Sequence, residues 1–500
     1  MTLLRRRLAA IDRHPRRLAA LIALAAGLHG VMYIPLVSTH DETDSWSYLA
    51  SANAIRDGSY TTPLKAGFYF VFGAGWFDIT GARIAPSAWQ APERQAFRPP
   101  GYGAYVAMFG RHRVFDGERV PILLGHGVLF ALGTLLLIAT VRRWWGDGVA
   151  LFAGLLYALD PWSKHYVPLV LSETLAGTCA LAGVYLFTRA WETPRVGWWI
   201  ATGAAASALA LVRAVFVFTV PLVLVAALVH AGSVRERLMR AAAATVAAAV
   251  LLAPWLAWTN DVVGRPVMSV WGQAYNFMLA ASGEGRAHTS AEIEAQPEFR
   301  ARMQQIRSQV PAREELLADP SAHPRYLHRA DAELGDAAVE LYRDRLRAEP
   351  LAVAWEAAYR AWFLWNAHKD WYQPTGAPLI ALGMLDVVVV LLALAGSAVA
   401  VARGGAGRAI VLLLGVYTLI LATHHVEARF AIPVRGVFLS LVAVALAAAW
   451  GRRKRAEHED AEPERRGRRT ADRRQERLGR TDDEAGRDDA RARGAEGAPA

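Results

Sequence analysis

Residues 120–141 read VPILLGHGVLFALGTLLLIATV and run straight into Arg142-Arg143-Trp144-Trp145. The stretch holds no Asp, Glu, Lys or Arg and exceeds the ~20 residues that cross a ~30 Å hydrocarbon core as helix. Helix is the required form, because lipid offers no partners to exposed backbone groups. The arginines and tryptophans that end the run suit a membrane–water boundary. Working outward, comparable runs occur at Leu18–Val37, Val149–Tyr166, Pro168–Thr188, Val196–Val212, Ala214–Val229, Ala241–Trp258, Pro378–Ala402, Ala409–Thr423 and Ala431–Trp450. The fold class is therefore an all-α integral membrane protein of about ten transmembrane helices.

The composition agrees. Apolar residues make up 54% of the 500 and charged residues 20%, segregated into long apolar blocks and charged connections. The net charge of +10 is concentrated in short connections and in one tail, so it speaks for membrane topology and against a nucleic-acid partner. The single cysteine, Cys179, excludes an intramolecular disulfide and a cysteine-rich metal site. Arg5–Arg7, Arg13, Arg16 and Arg17 precede the first run; with no clear cleavage site after it, this run reads as a retained span rather than a removed signal.

Orientation can be tested. With the N-terminal arginines cytoplasmic, Arg142/Arg143, Arg189/Arg195, Arg235/Arg237/Arg240, Arg403/Arg408 and Arg452–Arg455 all fall on the same side. The sensitive point is Arg213, where two short spans meet; one continuous helix there would reverse everything downstream. Both termini are then cytoplasmic, and the Ala/Arg-rich composition points to a bacterial cell (inner) membrane.

The chain divides into a basic N-terminus (1–17), a transmembrane core (18–258) carrying an outer loop (38–119), an extracytoplasmic segment (259–376), C-terminal spans (377–450) and a charged tail (451–500). Both outer regions carry helix-spaced apolar residues, such as Tyr48, Leu49, Ala52 and Ile55, or Tyr102, Tyr105, Val106 and Phe109. They read as amphipathic juxtamembrane helices, as does Trp355–Trp365. The tail is too poor in large apolar side chains to fold, and its basic start suits anionic membrane lipids.

Ionisable residues gather at the outer face. Asp41, Glu42 and Asp44 crowd a helix start just after the first span; capping and the helix dipole account for one or two acids there. Arg98 precedes the rigid Pro99-Pro100-Gly101 turn at headgroup depth, where a guanidinium can grip phosphate or simply snorkel. Glu173 lies just inside the fourth span and needs a polar cavity or a cation. Asp160, Arg213, and Arg429 within His424-His425-Val426-Glu427-Ala428-Arg429-Phe430 sit at the same level. No ionisable group is read at mid-membrane, where a transporter's site is expected.

These motifs, in this order, resemble the glycosyltransferase-C superfamily, especially the branch of protein O-mannosyltransferases and lipid A aminoarabinose transferases (glycosyltransferase family 39-like). The resemblance rests on Asp44 with Tyr48, Ala50 and Gly58; Arg98-Pro99-Pro100-Gly101-Tyr102; Ser172-Glu173; Ala253-Pro254-Trp255 with Asn260 and Gly264; and Glu427-Ala428-Arg429-Phe430 with Pro433. It implies that Asp44 is the catalytic carboxylate, with Asp41 and Glu42 as alternatives. It implies that Arg98 binds the donor phosphate, joined by Arg213 and Arg429. Glu173, with Asp160, becomes a second-site acid that orders the pocket or holds a divalent metal ion. The implied partners are a polyprenyl-phosphate-linked sugar and an extracytoplasmic acceptor that is protein, lipid or cell-envelope glycan. The charged tail has no counterpart in the family pattern. A multi-span transporter or lipid flippase, an envelope-assembly scaffold and an oligosaccharide polymerase or ligase are the competing readings.

Overall fold

The computed structural model describes residues 14–32, 34, 43–56, 58, 61–63, 92–94, 98–110, 119–263, 266–269, 272–283, 290–308, 323–366 and 377–453. Its helices are α1 (Pro15–Met32), α2 (Thr43–Arg56), α3 (Pro100–Ala107), α4 (Val120–Trp145), α5 (Asp147–Leu159), α6 (Pro161–His165), α7 (Glu173–Glu192), α8 (Val196–Val212), α9 (Thr219–Val229) and α10 (Val234–Val263). There follow α11 (Gly272–Ala281), α12 (Ser290–Ala295), α13 (Pro297–Ser308), α14 (His323–Ala348), α15 (Pro350–Trp365), α16 (Ala377–Arg403), α17 (Gly405–Ala422) and a last helix, α18, over 432–453. A short antiparallel pair, Thr61–Pro63 with Pro92–Arg94, is a small addition that the sequence did not announce.

Every expected span overlaps a helix. Among the described residues, five helical stretches are long and apolar enough to cross a membrane: Val120–Trp145, Val234–Asp261, Met384–Arg403, Gly405–Ala422 and Arg429–Arg453. Asp147–Leu159, Val196–Val212 and Ala214–Val229 are shorter apolar helices. Local chemistry sets the boundaries. α4 opens with Pro121, where a missing N–H is harmless, and stops at Gly146, whose φ of +83° suits a residue without Cβ. α5 ends earlier than the apolar run does: the Asp160 carboxylate accepts the Ser163 N–H at 2.8 Å and caps a new short helix, α6. The chain breaks at Arg213, which is extended (φ −148°, ψ 110°), so α8 and α9 are separate helices joined through a 3-10 turn, Ala214–Phe218.

One apolar core unites the spans. α1 crosses α4 where Gly27 meets Gly127; a Cβ on Gly27 would lie 2.8 Å from the Gly127 carbonyl oxygen, and small residues permit that approach. Tyr48, Leu49 and Ala52 of α2, and Tyr102, Tyr105 and Val106 of α3, are buried in this same core. α2 and α3 thus turn these apolar residues onto the bundle. Helices α11 to α14 share a separate core, built from Met278, Leu279, Ile293, Phe299, Met303, Leu334 and Ala338. The chain forms two compact units, Met1–Ala445 and Leu446–Ala500; of the second, only the helical end over 446–453 is described, and the charged tail lies outside the described residues.

Candidate functional site

The Pro99-Pro100-Gly101 turn explains how distant parts of the chain meet. Pro100 fills the first turn of α3, and Gly101 lies directly against the C-terminal end of α8. A Cβ at Gly101 would stand 2.7 Å from the Leu211 carbonyl oxygen and 2.8 Å from the Val212 nitrogen, so only glycine lets α3 approach this closely. Arg98, just before the turn, and Arg213, just after Val212, are brought to one locality. α3 is held from its other sides as well. Tyr102 Oη lies 3.1 Å from His126 Nε2, and His126 Nδ1 lies 3.1 Å from the Val167 carbonyl oxygen. Because a carbonyl can only accept, Nδ1 carries the proton and Nε2 accepts from the tyrosine. Arg56 donates to the Ala107 carbonyl at 2.7 Å and fastens α2 to the end of α3.

A continuous polar chain follows from this placement. Arg98 Nη1 donates to Tyr48 Oη at 3.1 Å, and Arg98 also stacks its guanidinium on the Tyr48 ring, 4.6 Å from the centroid. Tyr48 donates to Ser172 Oγ at 3.0 Å, and Arg213 Nη1 lies 3.5 Å from the same oxygen. Arg213 Nη1 then meets Glu173 Oε1 at 2.7 Å. The Glu173 side chain is 2% exposed and Arg213 14%, so of the polar cavity or cation expected for Glu173 the structure supplies a cation, an arginine. Glu173 occupies the first turn of α7, where the helix dipole also favours a negative charge.

A third strand of chain closes in from the C-terminal side. Two guanidinium groups approach the Phe430 ring, Arg213 at 5.1 Å and Arg429 at 5.9 Å from its centroid. Arg429 is paired with Glu427, and His425 Nε2 lies 3.6 Å from the same carboxylate. Burial opposes ionisation of Glu427, yet Arg429 and His425 outweigh it and hold the carboxyl well below the ordinary range. Helix α11 touches this loop too. The His425 N–H donates to the Asn276 carbonyl at 2.7 Å, and the Phe277 and His424 rings are 5.2 Å apart.

Of the residues singled out from sequence, Arg98, Glu173, Arg213 and Arg429 are therefore gathered here. Asp44 lies within α2, one turn before Tyr48, but its side chain is outside the described residues. Asp41 and Glu42 lie outside the described residues altogether. Asp160 belongs to a different cluster. Arg435 Nε meets Asp160 Oδ1 at 3.2 Å, and Arg435 Nη2 meets Asp386 Oδ1 at 2.9 Å. Trp162 donates to that same Asp386 oxygen at 3.2 Å, while Ser163 donates from Oγ to Asp160 Oδ2 at 2.7 Å. All three charged side chains are at most 5% exposed.

Sequence reading missed Asp386 and Arg435, although each stands as a lone charge inside an apolar block. Asp386 is ~25 Å along α16 from Arg403 at 1.5 Å per residue, which puts it toward the end of the span opposite that arginine. Among the described residues, no three His, Cys, Asp or Glu side chains converge in a way that could hold a metal ion.

Residues 98–258 match the family model described as dolichyl-phosphate-mannose-protein mannosyltransferase, in agreement with the glycosyltransferase-C resemblance read from the motifs. Several solved structures are similar. The apo oligosaccharyltransferase of Archaeoglobus fulgidus is 14% identical, with 89% of this chain and 51% of that chain covered and a TM-score of 0.49. The archaeal oligosaccharyltransferase AglB from the same organism, in complex with an inhibitory peptide and a dolichol-phosphate, is 11% identical, with 90% and 52% covered and a TM-score of 0.48. ArnT from Cupriavidus metallidurans bound to undecaprenyl phosphate is 14% identical, with 85% and 76% covered and a TM-score of 0.34. The chain spans about half the length of the archaeal oligosaccharyltransferases it matches. No curated protein matches it.

Proposed function

We propose that this integral membrane protein is a glycosyltransferase that moves a sugar from a polyprenyl-phosphate donor to an extracytoplasmic acceptor, with inversion at the anomeric carbon. The observation that carries the reading is the chain Arg98–Tyr48–Ser172–Arg213–Glu173, which concentrates guanidinium groups at one end of the bundle. The family match begins at Arg98 and includes Glu173 and Arg213. With the basic connections cytoplasmic, this end faces outward and both termini face inward, in a cell (inner) membrane.

The chemistry follows from charge. Departure of the polyprenyl phosphate builds positive charge on the sugar ring and negative charge on the phosphate oxygens. Arg98 and Arg213 stabilise the departing phosphate, and a fixed guanidinium is worth most where water is scarce. Asp44, one helical turn from Tyr48, takes the proton of the acceptor as its oxygen attacks, with Asp41 and Glu42 as neighbouring acids. Glu173 keeps Arg213 in place. Arg429, held by Glu427, joins the anion-binding side.

Two measurements test the reading. Mass spectrometry of envelope glycans and lipids from a deletion strain is expected to reveal one missing sugar, which identifies donor and acceptor class together. Purified Asp44→Asn is then expected to bind donor but not to transfer. Normal transfer by that variant would remove Asp44 from the mechanism.

A further inference from the structure

Arg213 and Arg429 reach one ring from distant parts of the chain: their guanidinium groups lie 5.1 and 5.9 Å from the Phe430 centroid. Two like charges near one ring repel each other, most strongly where water is scarce, so their common placement has to be held. Glu173 pairs with Arg213 and Glu427 with Arg429. Each pair neutralises its own arginine; the spacing of the two pairs is set elsewhere.

The two segments meet on one side chain, Tyr417 of α17. Its ring lies against Phe216 and Phe218, with centroids 5.2 and 5.7 Å away, and the Phe216 ring is nearly parallel to it at 6°. Both phenylalanines belong to the 3-10 turn Ala214–Phe218 that begins directly after Arg213, and the Phe216 N–H donates to the Arg213 carbonyl at 3.0 Å. The Tyr417 hydroxyl donates to the Phe430 carbonyl, in the second 3-10 turn, Ala428–Ala431, which carries Arg429. Tyr417 and Phe216 are buried, so they act through the arginines rather than on a ligand. Tyrosine fits the task because its ring packs and its one hydroxyl gives a directed bond. A phenylalanine at 417 would fill the same space but leave the Phe430 carbonyl unfixed.

We propose that Tyr417 is a positioning residue that registers the two arginines against each other. Its ring fixes the turn behind Arg213 and its hydroxyl fixes the turn that holds Arg429, so that one lipid phosphate meets both guanidinium groups. The phosphate part rests on the donor-site reading above; the coupling of the two arginines does not.

The test uses the full chain in lipid nanodiscs. Tyr417→Phe keeps the ring and removes only the hydroxyl. Thr418→Val is the control: it cuts the 3.1 Å bond from Trp365 Nε1 at the next position of the same span, and that side chain hydrogen-bonds to neither turn. Phenylglyoxal modification of arginines, read by peptide mass spectrometry, needs no ligand. Arg429 is expected to react faster in Tyr417→Phe than in wild type or Thr418→Val, and equal rates would overturn the proposal. In titrations with polyprenyl monophosphate, Tyr417→Phe is expected to bind ~10-fold more weakly and Thr418→Val as the wild type does. In an Arg429→Gln background, Tyr417→Phe is expected to add no further loss, because the hydroxyl acts through that arginine. Additive losses, or equal losses in Tyr417→Phe and Thr418→Val, would assign Tyr417 to general packing and overturn the proposal. Should the wild type bind no lipid phosphate while Arg429 modification still depends on Tyr417, the donor reading fails and the coupling is upheld. If Tyr417→Phe does not assemble, Phe216→Leu loosens the other end of the same device. Arg213 is then expected to gain reactivity, and an unchanged Arg213 overturns the proposal.

Discussion

Among the described residues, the clusters around Arg435 and around Arg213 both pair buried carboxylate with arginine, and they are built differently. In the first, Arg435 is 2% exposed and clamped between Asp160 and Asp386, while Asp160 also caps α6 and accepts from Ser163. In the second, Arg213 holds Glu173 but keeps 14% of its side chain exposed, and the chain continues through Ser172 and Tyr48 to the partly exposed Arg98. A closed cluster with its cation saturated by two carboxylates can only hold helices together. A cluster that ends in accessible guanidinium groups can also receive an anion. The difference lies in what surrounds the charges, since the residue types are nearly the same.

The largest expected effect tests the closed cluster. Arg435→Leu leaves two buried carboxylates without their cation, a loss of ~3–5 kcal/mol in stability. It is read as a lower melting temperature in detergent, and Asp160→Asn with Asp386→Asn in the same chain is expected to recover much of it. Next comes the open cluster. Arg98→Ala is expected to lower transfer by ~10²–10³, about 2.7–4 kcal/mol, with the melting temperature nearly unchanged. An Arg98→Ala protein that melts early but still transfers would reverse the two assignments. Gly101→Ala sharpens the geometry. Its Cβ meets the Leu211 carbonyl, so α3 must shift at an overpacking cost of ~1–3 kcal/mol. Transfer is expected to fall further than that cost alone explains, because Arg98 moves away from Arg213. Tyr48→Phe removes one hydroxyl from the chain and is expected to cost ~1 kcal/mol in donor affinity. The smallest effect is that of pH. The Glu427 carboxyl is depressed below its unfolded value, so its contribution is complete above the ordinary carboxylate range and is lost as pH falls from that range toward the lower folded value. A melting temperature that is flat from pH 7 to 5 and falls below ~4 is the expected profile.

The apolar helices were legible because run length and composition are local properties, and each run could be read by itself. The Arg213 break was legible too, since the charge test required it. The partners were not. Arg435 and Asp160 are 275 residues apart, and nothing in either neighbourhood names the other. Asp386 and Arg435 looked like single charges in apolar blocks, although burial without a partner is costly enough that the pair was implied. The stretch Trp355–Trp365 was readable as amphipathic, but the sequence does not say which face turns inward, and here the charged one does. The motif order pointed to Arg98, Glu173, Arg213 and Arg429 as neighbours. Tyr48 and Ser172 stand in the motifs that carry the resemblance, but nothing in the sequence says that they link Arg98 to Arg213.

The most direct test of the account is binding of polyprenyl monophosphate, the product side of the proposed reaction, to purified protein in nanodiscs. Native mass spectrometry or a fluorescence titration would compare the wild type with Arg98→Ala. The account predicts saturable binding by the wild type and a loss of at least ~10-fold, about 1.4 kcal/mol, in the variant. Equal affinity in the two, or no saturable binding by the wild type, would contradict it.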